Sequence, residues 1–240
     1  MKQVFITVLL ILSAVVANSQ YSFTYNGREY NVLKTSKFKD AKGKQYNYNE
    51  AMLVMMGGEY EILPANPKDA SQGFLLSGIS KEEQLKRAMA APKPAETTAF
   101  KTGKKFDSFS ATDMNGKLVD TKQLKGKVLV VNFWFTTCPP CKAERPYLNK
   151  IVDDYKSDSN VVFIAIALDQ KEQLELYLKE YEFKYNVIPA GKKIADSYDI
   201  KGYPTQVIVD KEGKVAFHTV SYYYVTDYWM RKTIDELRRK

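Results

Sequence analysis

The feature that most constrains the fold is a continuous apolar run over residues 127–135, which ends three residues before Cys138. An unbroken run of this kind is typical of a strand that is buried on both faces, as in the parallel sheets of α/β proteins. A second such run covers residues 161–168, and helix-like segments follow the two runs over residues 139–156 and 171–181. This alternation predicts an α/β fold with helices on both faces of a central sheet.

The sequence after residue 101 predicts further elements of the same domain. Residues 205–210 and 215–219 are strand-like and are joined by a Lys-Glu-Gly-Lys turn, so we expect them to close the sheet as a hairpin. We also expect a hairpin over residues 106–119, a short helix over residues 193–198 and an amphipathic terminal helix over residues 227–239.

The sequence before residue 91 has a different character. Short strand-like segments, a strong Asn26-Gly27 hairpin turn and a helix over residues 80–90 predict a small α+β module over residues 20–90. A Pro-containing polar stretch follows, and we interpret residues 91–100 as a linker. The second domain is then expected over residues 101–240.

The first 19 residues are interpreted as a signal peptide. Lys2 supplies a positive start, residues 4–16 are almost entirely apolar, and small residues precede a predicted cleavage after Ser19. The apolar run is shorter than the roughly 20 residues of a membrane-spanning helix. We therefore expect an exported protein of the periplasm or cell envelope, the alternative being that an uncleaved N-terminal segment holds it there.

The net charge of +8 does not by itself indicate a polyanionic partner. The lysines are scattered along the chain and often stand beside Asp or Glu. This pattern is typical of a solvated surface, and we expect no nucleic-acid partner.

The chain has only two cysteines, Cys138 and Cys141. A disulfide between them would close a very short loop and stabilise the fold by only ~2 kcal/mol, against about 4–5 kcal/mol for a long loop. A zinc site needs four ligands, and the chain has no third cysteine and one histidine, His218. In an exported protein this pair is better explained by redox chemistry than by a structural role.

The position of the cysteines favours that chemistry. Cys138 follows a predicted strand and precedes Pro139 and Pro140, which are tolerated in the first turn of a helix. The helix dipole there favours the thiolate, the species that attacks a disulfide, so we expect Cys138 to attack and to be open to solvent. Cys141 lies one turn further and can resolve the mixed disulfide. Because both prolines lack N–H donors to the thiolate, we expect a reducing rather than a strongly oxidising protein.

Residues 131–146 read VNFWFTTCPPCKAERP. This Cys-x-x-Cys, with Phe-Trp before it and a proline after it, resembles the active-site stretch of the thioredoxin superfamily and, more narrowly, of its exported TlpA/ResA-like branch. The resemblance covers residues 101–240. It implies a thioredoxin-like central mixed sheet flanked by helices, which the small α+β module precedes.

The resemblance also implies roles for other residues. Pro146 matches a proline that kinks the first helix, and Pro204 matches a cis-proline that faces the dithiol. The backbone of Tyr203 would offer hydrogen bonds to the substrate, and Trp134 would belong to the same substrate-binding area. Thr137 replaces a tryptophan that often stands before the first cysteine, so the partner-binding surface differs at this position.

Two further positions refine the interpretation. Asn132 stands where cytoplasmic thioredoxins carry a buried aspartate, as in many exported relatives, and an amide cannot shuttle protons. Glu144 matches a glutamate that ResA-like proteins place near the dithiol. If Glu144 is partly buried, its pKa rises and it can serve Cys141 as general acid and base. The alternative is an exposed helix carboxylate.

The resemblance implies an enzyme that reduces disulfides in exported proteins, among them the haem-binding cysteines of apocytochrome c. It implies a membrane thiol carrier as electron donor, no bound metal, and no cofactor other than the Cys138–Cys141 disulfide.

Two other functions stay open from the sequence. A peroxidase of the peroxiredoxin type needs Pro-x-x-x-Thr-x-x-Cys, but Val131 and Phe135 occupy the Pro and Thr positions. A Sco-like copper protein could use His218 with the two cysteines, although such proteins place three residues between their cysteines.

Overall fold

The structure is a computed structural model that describes residues 21–239. The predicted signal peptide lies outside the described residues. The chain divides into two compact units, the first ending at Gln84 and the second beginning at Leu85. Among the described residues, no helix combines the length and the apolar character that a membrane span requires.

The first unit is built from short strands and one helix. Strands β1 (Tyr21–Tyr25) and β2 (Arg28–Val32) form an antiparallel hairpin around the predicted Asn-Gly turn. A four-stranded sheet has the order β4-β3-β6-β5, with β3 at Phe38–Asp40, β4 at Gln45–Tyr46, β5 at Tyr60–Pro64 and β6 at Phe74–Gly78. Helix α1 (Tyr48–Met56) begins at a capping box in which Asn47 and Glu50 satisfy each other's backbone N–H groups. Aromatic residues fill the core of this unit, including Phe23, Tyr30, Phe38 and Phe74.

Helix α2 (Lys81–Ala90) spans the division between the units. The Ser80 hydroxyl accepts a hydrogen bond from the Glu83 N–H at 3.1 Å, which satisfies one free N–H of the first turn. Residues 91–100, predicted as a linker, belong to the second unit. There the Phe100 ring is buried and stacks on Phe106 at 5.9 Å. The division between the units thus falls before the predicted linker, and the predicted bounds of the two domains stay a prediction.

The second unit contains the predicted α/β fold. Its five-stranded sheet has the order β11-β10-β9-β12-β13. The strands are β9 (Val128–Trp134), β10 (Val161–Ala167), β11 (Asn186–Ile188), β12 (Thr205–Val209) and β13 (Val215–Val220). Strands β9, β10 and β11 are parallel, and β12 and β13 are antiparallel to their neighbours, so the sheet is mixed, as the resemblance implies.

Four helices accompany this sheet: α3 (Pro139–Tyr155), α4 (Lys171–Glu180), α5 (Lys192–Ser197) and α6 (Tyr224–Arg238). A small hairpin of β7 (Ser110–Thr112) and β8 (Leu118–Asp120) precedes the sheet in the chain. Sequence patterns predict these four helices to within three residues of their ends.

Strand β9 is the centre of the sheet, and all of its residues are buried. Because side chains alternate along a strand, Leu129, Val131 and Phe133 join one apolar core, while Asn132 and Trp134 point to the opposite face. Burying each large apolar side chain contributes about 1.5–3 kcal/mol. The strand that leads to Cys138 is therefore firmly held on both faces.

Candidate active site

The two cysteines form a disulfide at the start of α3. The bond joins Cys138 and Cys141, whose Cα atoms are 5.3 Å apart. Cys138 is the N-cap of α3, and its sulfur accepts a hydrogen bond from the Cys141 N–H at 3.2 Å. Pro139 and Pro140 occupy the first two helical positions, where their missing N–H groups leave no helical hydrogen bond unmade. A sulfur at this position lies at the positive end of the helix dipole.

The expectation that Cys138 is open to solvent is wrong for this disulfide form. Cys138 and Cys141 are each only 2% exposed. The residues on either side of Cys138, Thr137 and Pro139, are exposed. Cys138 is therefore a buried residue between two exposed neighbours in the chain.

The predicted proline elements lie around the disulfide as follows. Pro146 is inside α3. The Tyr203–Pro204 peptide bond is cis, and the next residue pairs with Phe133 of β9. Pro204 therefore lies beside the end of β9 from which the Cys138 segment continues. The Tyr203 ring is partly exposed and contacts Phe135 edge to face, with the ring centroids 5.4 Å apart.

Trp134, which was expected in the substrate-binding area, is buried in this structure. It is 2% exposed, and its ring packs against Tyr177 at 5.7 Å and Phe183 at 5.1 Å. The reason is its place in β9, where its side chain points from the buried strand into the apolar layer beside the sheet. Trp134 therefore supports the site from within the core.

Glu144 is buried beside the sheet rather than exposed on the helix. Its side chain lies one turn after Cys141 in α3 and is only 1% exposed. Asn132 donates from Nδ2 to Glu144 Oε1 at 2.8 Å, and Gln206 donates from Nε2 to Oε2 at 2.8 Å. Burial raises the pKa of Glu144 well above its usual range, and the two amide donors offset only part of that effect. The carboxyl group can therefore take up or release a proton nearer to neutral pH.

The sheet explains how two residues far apart in sequence meet the same carboxyl group. Asn132 in β9 and Gln206 in β12 are direct partners in the antiparallel register. Their side chains therefore stand next to each other on one face of the sheet. Sequence reasoning missed Gln206. An amide within the apolar strand Thr-Gln-Val-Ile-Val was an available signal, because a buried polar group must find a hydrogen-bond partner.

His218 lies apart from this chemistry. It is fully buried in β13, and its Nδ1 accepts a hydrogen bond from the Thr97 N–H at 3.0 Å. Within residues 21–239, no three His, Cys, Asp or Glu side chains are grouped in a way that could hold a metal ion, so His218 does not join the two cysteines in such a group.

Comparisons with known proteins agree with this geometry. The model of the AhpC/TSA family matches residues 102–218. A thiol-disulfide oxidoreductase ResA of Bacillus cereus is 38% identical over 123 residues, which are 50% of this chain and 70% of that protein. A ResA of Oceanobacillus iheyensis is 24% identical over 185 residues, 76% of this chain and 84% of that protein. The solution structure of a thiol:disulfide interchange protein from Bacteroides sp. is 26% identical with a TM-score of 0.51, covering 57% of this chain and 93% of that one.

The mixed sheet, with the Cys138–Cys141 disulfide at the start of the helix after its central strand and a cis-proline beside the end of that strand, defines a thioredoxin-like fold. The chain belongs to the family of ResA thiol-disulfide oxidoreductases, and it is an enzyme of that class.

Proposed function

We propose that this enzyme reduces disulfides in exported proteins of the cell envelope, using Cys138 as the attacking thiol and Cys141 as the resolving thiol. The observation that supports this most directly is the Cys138–Cys141 disulfide at the N-terminus of α3. Helix position, hydrogen bonding and exposed neighbours all favour Cys138 as the thiol that meets a partner.

The first step is attack by the Cys138 thiolate on one sulfur of a client disulfide. A bond forms between Cys138 Sγ and that sulfur, the client disulfide breaks, and the other client sulfur leaves as a thiolate that takes a proton. The backbone of Tyr203, before Pro204, would hold the extended client segment. Phe135, in contact with the Tyr203 ring, would form part of the same docking area.

The second step is attack by Cys141 on Cys138 Sγ. This forms the Cys138–Cys141 disulfide and releases the second client thiolate, so two electrons pass from the enzyme dithiol to the client. Glu144 would take the proton of the Cys141 thiol, since it lies on the same side of α3 one turn later. Its raised pKa suits this role, because a general base is most effective when its pKa is closer to the operating pH.

The partners proposed are those that the resemblance to ResA-like proteins implies. The clients would be disulfide-containing exported proteins, including apocytochrome c with its haem-binding cysteines. As in the family that the chain resembles, a membrane thiol carrier would reduce the Cys138–Cys141 disulfide again. An N-terminal segment of the signal type would bring the protein to the periplasm or cell envelope, where it is either released or held.

The direction of transfer is proposed to be reduction. Cys138 Sγ accepts one backbone hydrogen bond, from Cys141, while Pro139 and Pro140 have no N–H to offer. A thiolate with few donors is stabilised little, which favours a dithiol that gives up electrons readily. We expect a reduction potential far below the roughly −120 mV of DsbA. A measured value near that of DsbA would contradict a reducing role.

The decisive experiment traps clients in cells. Cys141→Ser should stall the reaction after the first step and leave clients bound to Cys138 as mixed disulfides, which reducing agent releases. Cys138→Ser is the matched control, because it removes the attacking sulfur and should trap nothing. Identification of exported proteins, with apocytochrome c among them, would support the proposal. Failure of Cys141→Ser to retain any client would contradict it.

Assays of the purified protein separate the other two functions. Insulin reduction by the wild type, lost in Cys138→Ser, supports the proposed reaction. Rapid peroxide consumption without insulin reduction would indicate a peroxidase. Stoichiometric copper binding that requires His218 together with both cysteines would indicate a copper protein.

A further inference from the structure

The segment that leads to Cys138 is held by a side chain from the segment that follows the neighbouring strand β10. Thr136 is only 9% exposed and lies two residues before Cys138. Its backbone N–H donates to Asp169 Oδ2 at 2.8 Å, and its hydroxyl donates to Asp169 Oδ1 at 2.6 Å. One threonine therefore occupies both oxygens of one carboxylate, an arrangement that fixes orientation as well as distance.

The sheet brings these residues together. Strands β9 and β10 are parallel, and their last paired residues are Trp134 and Ala167. One more bond, from Leu168 N–H to Trp134 O at 3.1 Å, extends the pairing beyond the strands. Past this point the backbones separate, and the Asp169 side chain continues the connection to Thr136.

Asp169 also holds a third segment through its backbone. Its carbonyl accepts a hydrogen bond from the Ala190 N–H at 2.8 Å, and the next residue, Gly191, donates to Ala167 O at 2.7 Å. Ala190 and Gly191 follow β11 and lead into α5. A single residue thus joins the segments that follow the three parallel strands, at the end of the sheet where the disulfide lies.

We propose that Asp169 is a positioning residue for thiol–disulfide exchange, acting through Thr136 on Cys138. Only Thr137 separates Thr136 from Cys138, so a shift of Thr136 is passed directly to the N-cap of α3. Held in place, Cys138 Sγ keeps the hydrogen bond from the Cys141 N–H at 3.2 Å and its position at the helix terminus. This inference rests on the proposed role of Cys138 as the attacking thiol.

The positioning role and a purely electrostatic role predict opposite effects. A carboxylate disfavours a nearby thiolate. If Asp169 acted only through its charge, it would lower the rate at which Cys138 reacts, and its removal would raise that rate. A positioning Asp169 predicts that removal slows Cys138, because the sulfur loses its place at the helix terminus. The rate of Cys138 alkylation as a function of pH distinguishes the two.

The experiment uses the full chain in the reduced state, with iodoacetamide as the probe and mass spectrometry to locate the modified cysteine. In Asp169→Ala we expect the alkylation rate of Cys138 at pH 7 to fall at least fivefold and the pH profile to move to higher pH. Thr136→Val, which keeps the charge and the N–H bond but loses the hydroxyl bond, should lower the rate at least twofold. Thr136→Ser, which keeps a hydroxyl donor, should restore most of it.

Asp210→Ala is the matched control. The Asp210 carboxylate also accepts two N–H bonds, from Glu212 at 2.9 Å and Lys214 at 2.8 Å. It follows β12 at Val209, which pairs with Leu129 near the start of β9, so it lies at the opposite end of the sheet from Cys138. Its variant should alkylate like the wild type.

Three results would overturn the proposal: faster alkylation in Asp169→Ala, an unchanged rate in folded Thr136→Val, or equal losses in Thr136→Val and Thr136→Ser. If Asp169→Ala does not fold, the two Thr136 variants decide the question alone. Failure of the proposed function is seen separately, as a wild type whose Cys138 alkylates readily but which does not reduce insulin.

Discussion

The single histidine, His218, should make the stability of the second unit depend on pH in a way that can be assigned to one residue. His218 is fully buried, and the Thr97 N–H donates to its Nδ1, so the ring proton is on Nε2. Nε2 lies 3.4 Å from the half-exposed Glu96 carboxylate. Burial lowers the pKa of His218, Glu96 raises it in part, and Lys93 lowers it further. Protonation of Nδ1 would turn an accepted hydrogen bond into a contact between two N–H groups.

The sign and size of the effect follow from proton linkage. The pKa of His218 is lower in the folded chain than its usual value of about 6.5 in an unfolded chain. Its contribution to stability is therefore complete above about pH 6.5 and is lost as the pH falls toward the folded-state pKa. One proton gives a slope of at most about 1.4 kcal/mol per pH unit. Between pH 6.5 and 5.5 the second unit should thus lose up to ~1.4 kcal/mol, or roughly 3–6 °C in Tm.

The assay is urea unfolding followed by tryptophan fluorescence at pH 5.5, 6.5 and 7.5. Both tryptophans, Trp134 and Trp229, lie in the second unit, so the signal reports on that unit alone. His218→Asn is the comparison, because its side-chain oxygen can still accept from the Thr97 N–H but does not titrate. The buried acids Glu144 and Asp227 are common to both proteins and cancel in the difference. Parallel pH curves for wild type and variant would refute the reasoning.

Two further predictions concern the same unit. Glu144→Gln should slow insulin reduction at least tenfold, as expected for loss of a general acid or base. The folded-state pKa of Glu144 is raised, so the stability of the wild type should also fall relative to this variant as the pH rises above about 4.3. This pH-dependence has the opposite sign to that of His218. An unchanged rate of insulin reduction and parallel stability curves would show that Glu144 takes no part in proton transfer. Gly191→Ala should destabilise the unit by about 1–3 kcal/mol, since an added Cβ would meet Ile166 Cγ2 at 2.3 Å. Gly78→Ala, where the nearest atom lies 3.9 Å away, should be nearly neutral, and thermal unfolding compares the two.

The core of the fold was predictable because its signals are local. The apolar run of β9 predicts a buried strand. The prolines after Cys138 indicate the first turn of α3. Strand β11 was missed, since three residues, Asn-Val-Ile, carry too short a pattern to recognise. In the structure, β11 pairs with β10 and forms one edge of the sheet.

The details of the site were less predictable because they depend on residues far apart in sequence. Asp169 meets Thr136 across 33 positions, and Gln206 meets Glu144 across 62. A sequence shows that a buried amide or carboxylate needs a partner, but only the strand register says which residue provides it. The expected exposure of Cys138 failed for a related reason, since burial at a helix terminus depends on the surrounding segments and not on the motif.

The amide at position 132 and the carboxylate at position 144 are best understood as a matched pair. Asn132 Nδ2 donates to Glu144 Oε1 at 2.8 Å, so the group at position 132 acts as a donor. An ionised aspartate there could only accept, and two carboxylates at this distance cannot both be ionised. One of them would hold its proton, and their titrations would be coupled. With Asn132 and Gln206 as neutral donors, the Glu144 carboxyl group makes both hydrogen bonds without sharing a proton with a second acid. In the proposed mechanism, its protonation would then depend on Cys141 and not on a carboxyl group at position 132.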